Sequence, residues 1–234
     1  MQVSLDHIED TADHIKTLWF KTETPLRYVA GQFIEVTLPH DNPDSRGTRR
    51  WFTVSSSPTE SLIAITTKAA DKPSSFMRAL FGLKKGDSVT ISDAMGDFVL
   101  PKDTSIPLMY VVGGIGVTPV RSMIKWLQDN GEKRDVYVMY MAHSDDQLAF
   151  KPLLDNYCKQ VTYTVHEPST SWTGNVGRIT SDDIYSASQK YNKPFIFLSG
   201  PEEMIEVFVA ELTELGINPS RLITDYFPGY NGSL

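Results

Sequence analysis

Hydrophobic and polar positions along this chain follow two different rhythms. Up to Pro101 the apolar residues alternate with polar ones in short runs: Gln32 to Leu38, Trp51 to Ser55, Leu62 to Thr67 and Ser88 to Ser92. Turn residues separate them, among them Gly31, Pro39, Asn42-Pro43, Pro58 and Gly86-Asp87. Period-two runs broken in this way predict an antiparallel sandwich or barrel. One helix interrupts them, from Ser74 to Phe81, with a serine placed to cap it. Beyond Pro101 the rhythm changes. Pro107 to Val112, Val136 to Ala142, Val161 to His166 and Phe195 to Ser199 are continuous apolar runs, the mark of strands covered on both faces. Between and after them, Thr118 to Asn130 and Glu202 to Leu215 place apolar residues at helical spacing, and Gly216 stands where a helix C-cap belongs. Strands alternating with helices predict an open parallel sheet. The period switches over residues 101–107, which places a domain boundary there.

Composition narrows what such a chain can do. It has 234 residues, 22 Lys+Arg against 29 Asp+Glu, and a formal charge of −7, so it lacks the basic footprint of a nucleic-acid or anionic-membrane binder. One cysteine, Cys158, cannot form an intramolecular disulfide or hold an iron–sulfur cluster by thiolates, and it reads as a small core hydrophobe. The five histidines show no metal-ligand spacing, so no metal site is expected. The N-terminus has no basic segment leading an apolar one, and no run approaches the length of a membrane span. The expectation is a cytoplasmic protein.

Two segments carry chemistry. Val111 to Pro119 is an apolar strand running through Gly113-Gly114-Ile115-Gly116 into a helix, with Thr118 suited to the N-cap and Pro119 to the first turn. Glycines let a backbone approach a pyrophosphate, and a helix N-terminus attracts its charge. The plain alternative is a tight strand-to-helix turn with no ligand. The second segment is Arg49-Arg50-Trp51-Phe52-Thr53-Val54-Ser55-Ser56. On a strand Arg50 and Phe52 share a face, one able to pair a phosphate and the other to lie on a planar ring; the alternative is a solvated strand edge.

Taken together, R-x-[YF]-[ST]-x-S-S and the later G-G-x-G-x-T-P resemble the ferredoxin–NADP(H) reductase superfamily. Further segments follow the same order: Ala30-Gly31-Gln32-Phe33, Leu83 to Val89 around Gly86-Asp87, Gly96-Asp97-Phe98, Trp172 to Ile179, Ser199-Gly200-Pro201-Glu202-Glu203-Met204 and Asp225-Tyr226-Phe227. The resemblance implies an FAD-binding antiparallel β-barrel over 1–102 and an NAD(P)-binding α/β domain with a parallel sheet over 103–234. It implies that Arg50 pairs the FAD pyrophosphate, Phe52 stacks on the flavin and Thr53 bonds near flavin N5. Ser74 and Ser75 would hold the pyrophosphate from the helix start, and Trp51, Thr66 and Lys68 join the cofactor-binding set. Gly114, Gly116, Thr118 and Pro119 would carry the nicotinamide nucleotide, and Gly200, Pro201 and Met204 would border the nicotinamide. Thr53, Ser199 and Asp225 would be the catalytic residues, orienting and polarising the reacting rings. Phe227 or Tyr230 would cover the flavin, or else pack on the surface.

The chain departs from the family pattern at four of these places. Phe52 stands for tyrosine, Pro73 for glycine, Ser199 for cysteine and Asp225 for glutamate. The implied activity is hydride uptake from NADH or NADPH, with the electrons passed to a separate acceptor: a ferredoxin, a flavodoxin, a haem protein, an oxygenase component or a small molecule. NADH is favoured because Asp145-Asp146, following the second strand of the parallel sheet, suit a ribose diol better than a phosphate. Reduction of free flavin or ferric chelates, and a non-catalytic electron-transfer subunit, stand as alternatives. Basic residues near the flavin motif, Arg46, Arg49, Lys68 and Lys72, could dock an acidic acceptor. The expected oligomer is a monomer or weak dimer.

Overall fold

The computed structural model describes residues 1–70 and 72–227, so Tyr230 lies outside the described residues. The first half contains β1 (Gln2–Ala12), β2 (Ile15–Lys21), β3 (Phe33–Thr37), β4 (Arg49–Thr53), β5 (Ile63–Lys68), helix α1 (Ser75–Gly82) and β6 (Ser88–Ile91). Its six strands form one antiparallel sheet in the order β4-β3-β6-β1-β2-β5. The two outer strands then meet: Val54 bridges Ile65, and Ser55 N donates to the Ala64 carbonyl at 2.8 Å. That closure makes the sheet a barrel, and it leaves Leu18, Ile34 and Ile65 in a core plugged by Phe76 and Leu80 of α1. Ser74 caps α1 as its sequence position predicts, its Oγ accepting from Met77 N at 3.2 Å.

The second half contains β7 (Leu108–Gly113), α2 (Val117–Asp129), β8 (Val136–Ala142), α3 (Lys151–Tyr157), β9 (Gln160–Val165), β10 (Asn175–Val176), α4 (Ser181–Lys190), β11 (Phe195–Gly200), α5 (Glu202–Glu214) and β12 (Leu222–Tyr226). Every pairing is parallel, in the order β10-β9-β8-β7-β11-β12. All of β7 is buried, which is why its sequence is an unbroken apolar run. Strand order runs outward from β7 in both directions, so a crevice opens at its C-terminal end, where doubly wound sheets bind ligands.

The halves share apolar surface and polar clamps. Ile15, Ala30 and Phe98 from the barrel side join the core of Tyr110, Val120, Met123 and Phe197, with the Phe98 and Phe197 rings edge to face at 5.2 Å. On α2, Arg121 donates to Glu60 Oε1 at 2.9 Å and to the Ser55 carbonyl at 3.1 Å, and Ser122 donates to the Ser56 carbonyl. The serines that end the Arg50 motif therefore hold the helix that follows the glycine loop. Among the described residues no helix is long and apolar enough to cross a membrane.

Candidate active site

At the head of β7 the chain passes through a single 3-10 turn, Gly114–Gly116, and enters α2 directly. The N-cap falls two residues earlier than Thr118, where the sequence predicts it. Gly116 is its N-cap, Thr118 and Pro119 lie inside its first turn, and the buried Thr118 hydroxyl donates to the Ile115 carbonyl at 3.0 Å. Gly114 has φ +53° and open space where a Cβ would stand. Gly116 is closed in: a Cβ there would lie 2.2 Å from the Ser199 carbonyl oxygen. The loop thus has an open side that a ligand backbone can approach and a closed side pressed on β11. β5 of the barrel packs against the same turn.

Ser199 ends the apolar run of β11, level with Val112 on β7 and Asp225 on β12. It is fully buried, and its Oγ has no hydrogen-bond partner. An orphaned hydroxyl at the mouth of a glycine cradle is the kind of atom a bound polar group satisfies. Gly200 follows with φ +153°, then Pro201 as N-cap of α5 and the half-buried Met204. Phe227 N donates to the Gly200 carbonyl at 3.1 Å, and its ring packs against the large core.

Asp225 is half-buried, and its pKa is pushed up to about 7, first by burial and then by the Asp97 carboxylate. Asp97 belongs to the Gly96-Asp97-Phe98 segment of the barrel side, so its charge reaches Asp225 from the other half; nothing in that motif singles Asp97 out for this role. A carboxyl whose folded pKa exceeds its unfolded value binds extra protons in the native state. Stability then falls as pH rises from the ordinary carboxylate range through about 7. Asp225→Asn removes that cost. It is expected to raise stability by about 1–2 kcal/mol, roughly 3–6 °C in Tm, at alkaline pH and by little at pH near 5. Calorimetry at both pH values checks this, and parallel Tm profiles for the two proteins would refute it.

In the barrel, Arg50 and Phe52 share one face of β4, as the alternation predicts. The Arg50 guanidinium lies 5.1 Å over the Phe76 ring, and Phe52 stacks on Phe76 at 6.1 Å. Trp51 points the other way and is 63% exposed, with its Nε1 donating to Glu35 at 3.3 Å and its ring 5.9 Å from Phe33. Thr53 is buried and paired with Phe33. The Thr66 hydroxyl belongs to a buried chain with Thr17 and Ser55, each at 2.8 Å. Lys68 reaches across to Gln147 Oε1 at 2.8 Å, at the junction of the halves. Ser75 opens α1 and is buried beside His40 and Asp44. Arg49 pairs with Glu35 and Arg46 with Asp44. A guanidinium beside the first N–H groups of a capped helix is a donor set that fits a phosphate.

After β8, Asp145 and Asp146 lie in a 3-10 turn that ends at Gln147. Both Asp145 oxygens accept from Ser169, and Asp146 accepts from Ser144. His143 lies 3.4 Å from Glu167, and Lys151 is paired with Asp155 at 2.7 Å and set over the Tyr163 ring. This corner is acidic. The Cys158 thiol is pushed up to about 12 by burial and the nearby Asp155, so it stays protonated and inert. Among the described residues no cluster of three metal-ligating side chains occurs.

Residues 110–210 match the family model of the oxidoreductase NAD-binding domain. The chain is 26% identical to the stachydrine N-demethylase reductase subunit Stc4 of Rhizobium meliloti (strain 1021) over 240 residues, covering 97% of this chain and 67% of that one. It is likewise 26% identical to flavohemoprotein A of Dictyostelium discoideum over 243 residues, covering 95% of this chain and 59% of that protein. This chain therefore spans roughly three fifths to two thirds of the length of these relatives. A ferredoxin NADP+ reductase from Neisseria gonorrhoeae, solved with bound FAD and NADP, has the same fold: TM-score 0.78 and 16% identity over 97% of this chain and 98% of that one.

Proposed function

We propose that this chain, with its two-domain fold and the match of residues 110–210 to the oxidoreductase NAD-binding domain, belongs to the ferredoxin–NADP(H) reductase superfamily, and that it is an FAD-dependent oxidoreductase that takes hydride from NADH and passes the electrons to a separate acceptor. One observation carries the reading. At the switch point of the parallel sheet an open glycine turn, an orphaned buried hydroxyl on Ser199 and the half-buried Asp225 converge against the barrel. The barrel in turn presents Arg50 beside the start of α1.

Hydride transfer and the release of electrons are chemistry that the nicotinamide and flavin supply when bound. The protein's part is placement and polarity. We assign residues 1–102 to the flavin domain and 103–234 to the nucleotide domain. Arg50, Ser74 and Ser75 hold the FAD pyrophosphate, Phe52 lies on the flavin, and Thr53 donates or accepts near its reacting nitrogen. Gly114 leaves its open side to the dinucleotide backbone and Gly116 lets the turn seat on β11 beneath it, with Thr118 and Pro119 shaping the helix start behind them. Ser199, Gly200, Pro201 and Met204 border the nicotinamide. Asp225 holds a proton beside the reacting rings below neutral pH and gives it up above. NADH is preferred because Asp145, Asp146 and Glu167 surround the corner where a 2′-phosphate would lie, and Lys151 is already engaged. The relatives named above work in haem-protein and demethylase systems by their names, which supports an acceptor of the haem or oxygenase class.

Anaerobic rapid mixing tests this directly. The flavin-loaded protein is expected to bleach with NADH, and kcat/KM for NADH to exceed that for NADPH by about tenfold or more. Flavin that stays oxidised under excess NADH and NADPH would overturn the reductase reading; a preference for NADPH would overturn the assignment of the acidic corner.

A further inference from the structure

We propose that Asp44 sets how tightly this chain retains FAD, by occupying as a built-in anion the groups that hold the flavin's pyrophosphate; the inference rests on the reading of Arg50 and Ser75 given above. Asp44 Oδ1 accepts from the Arg50 guanidinium at 3.2 Å and from Arg46 N at 3.0 Å, while Oδ2 accepts from Ser75 N at 3.3 Å. A guanidinium edge and a helix N-terminal N–H are the donors a phosphate oxygen would take. The carboxylate already has both. Burial alone would raise its pKa, but the N–H groups of Arg46 and Ser75 and the two guanidinia hold it below the ordinary carboxylate value, so it is an anion at neutral pH.

The segment that delivers Asp44 is short and independently anchored. It runs from His40 to Thr48, with left-handed backbone at Asn42 (φ 49°) and Gly47 (φ 69°). Asp44 N donates to Ser75 Oγ at 2.9 Å, and His40 Nε2 lies 3.0 Å from the same hydroxyl. Arg50 is held from its other nitrogen by the carbonyls of Arg46, at 2.8 Å, and Arg49, at 2.6 Å. Pro73, just ahead of the cap, has no N–H to offer, so Arg50 and Ser75 N carry more of the phosphate contact than in a chain with glycine there. Binding FAD must therefore first break the Arg50–Asp44 pair. A ligand whose competent state is a minor one loses affinity by that fraction. Asp44 makes FAD exchangeable where a neutral side chain would make it fixed, and this bears on whether the flavin acts as a resident group or a diffusing substrate.

The test is titration of FAD and of riboflavin, which has no phosphate, into flavin-stripped wild type and Asp44→Asn, followed by quenching of flavin fluorescence. Asp44→Asn is expected to bind FAD about tenfold tighter, with riboflavin affinity unchanged. In wild type, amide exchange over 44–47 is expected to accelerate on adding FAD, as Asp44 leaves Ser75 and Arg50. Equal or weaker FAD binding by the variant, or exchange that slows with FAD, would overturn the role of Asp44. Should Asp44→Asn fail to fold, Asp44→Ser and the wild-type exchange experiment decide the same question. Folded wild type and variant that both fail to bind FAD would instead overturn the flavin site itself, and the role of Asp44 with it.

Discussion

Arg50→Ala is expected to give a folded protein isolated without its yellow colour, with FAD affinity lowered roughly 100-fold. The guanidinium brings a full charge and a two-pronged donor to a pyrophosphate, and charge-assisted hydrogen bonds of this kind contribute about 1.5–3 kcal/mol each. Its loss also leaves the Asp44 carboxylate at the start of α1 with no guanidinium but the longer contact to Arg46 at 3.7 Å, where it would repel the phosphates. The fold should survive. Arg50 packs on the rim of the barrel over Phe76, outside the Leu18, Ile34 and Ile65 core, and a partly exposed ion pair such as Arg50–Asp44 contributes about 1 kcal/mol. Arg50→Lys should recover part of the affinity, since an ammonium keeps the charge and loses the planar fork. The ratio of flavin to protein absorbance, a fluorescence Kd and a melting curve check all three statements; stoichiometric FAD in Arg50→Ala would show that the pyrophosphate lies elsewhere.

Much of the fold was legible because burial is so uneven along the chain. β7, β8 and β11 are covered on both faces, and their unbroken apolar runs mark them within a residue of their bounds. β1 and β2 gave no comparable signal. Val3 and Leu5 alternate inward, but register shifts between Leu5 and His7 and between Asp10 and Ala12 throw the alternation out of phase, and His7, Glu9 and Asp10 lie in the outer half of the strand. α4 buries only Ile184 and two serines, so its apolar face is too thin to read. Its better signal was the reciprocal cap between Thr180 and Asp183. The early start of α2 has a local cause: the 3-10 turn Gly114–Gly116 leads straight into it, and Gly116 already has right-handed helical backbone at the N-cap.

The site was legible where one segment carries it, and obscure where the fold assembles it. Arg50, Phe52 and the glycine turn belong to local motifs whose side-chain alternation or turn chemistry can be read directly. Asp44 and Asp97 cannot be found that way. Asp44 meets Ser75 across 31 positions, and Asp97 meets Asp225 only because the halves dock. Arg121 and Glu60 are likewise separated by 61 positions and meet at the same junction. Composition offered no hint of any of these pairs, since each is an ordinary charged residue until its partner is brought beside it.

Gly116→Ala should be the most damaging single-atom change near the nucleotide turn, for a reason different from the usual one. Gly116 has φ −58°, a value any residue adopts, so conformational freedom is not what glycine supplies. What it supplies is room. A Cβ would stand 2.2 Å from the Ser199 carbonyl oxygen, 2.5 Å from its carbonyl carbon and 2.8 Å from Gly200 N. All three are backbone atoms of β11, paired on one side to β7 and on the other to β12, so no side-chain rotation relieves the contact. The turn and β11 must separate where Ser199 and Gly200 line the crevice. The expected cost is about 3 kcal/mol, some 6–12 °C in Tm, with NADH binding lost alongside. Gly114→Ala is the internal comparison: its Cβ meets nothing within 4 Å, but φ is +53°, so it should cost only about 1 kcal/mol of backbone strain. Urea unfolding of the two variants separates steric crowding from strain, and a Gly116→Ala protein as stable as Gly114→Ala, with NADH binding equal to wild type, would mean that β11 does not press on the turn as described.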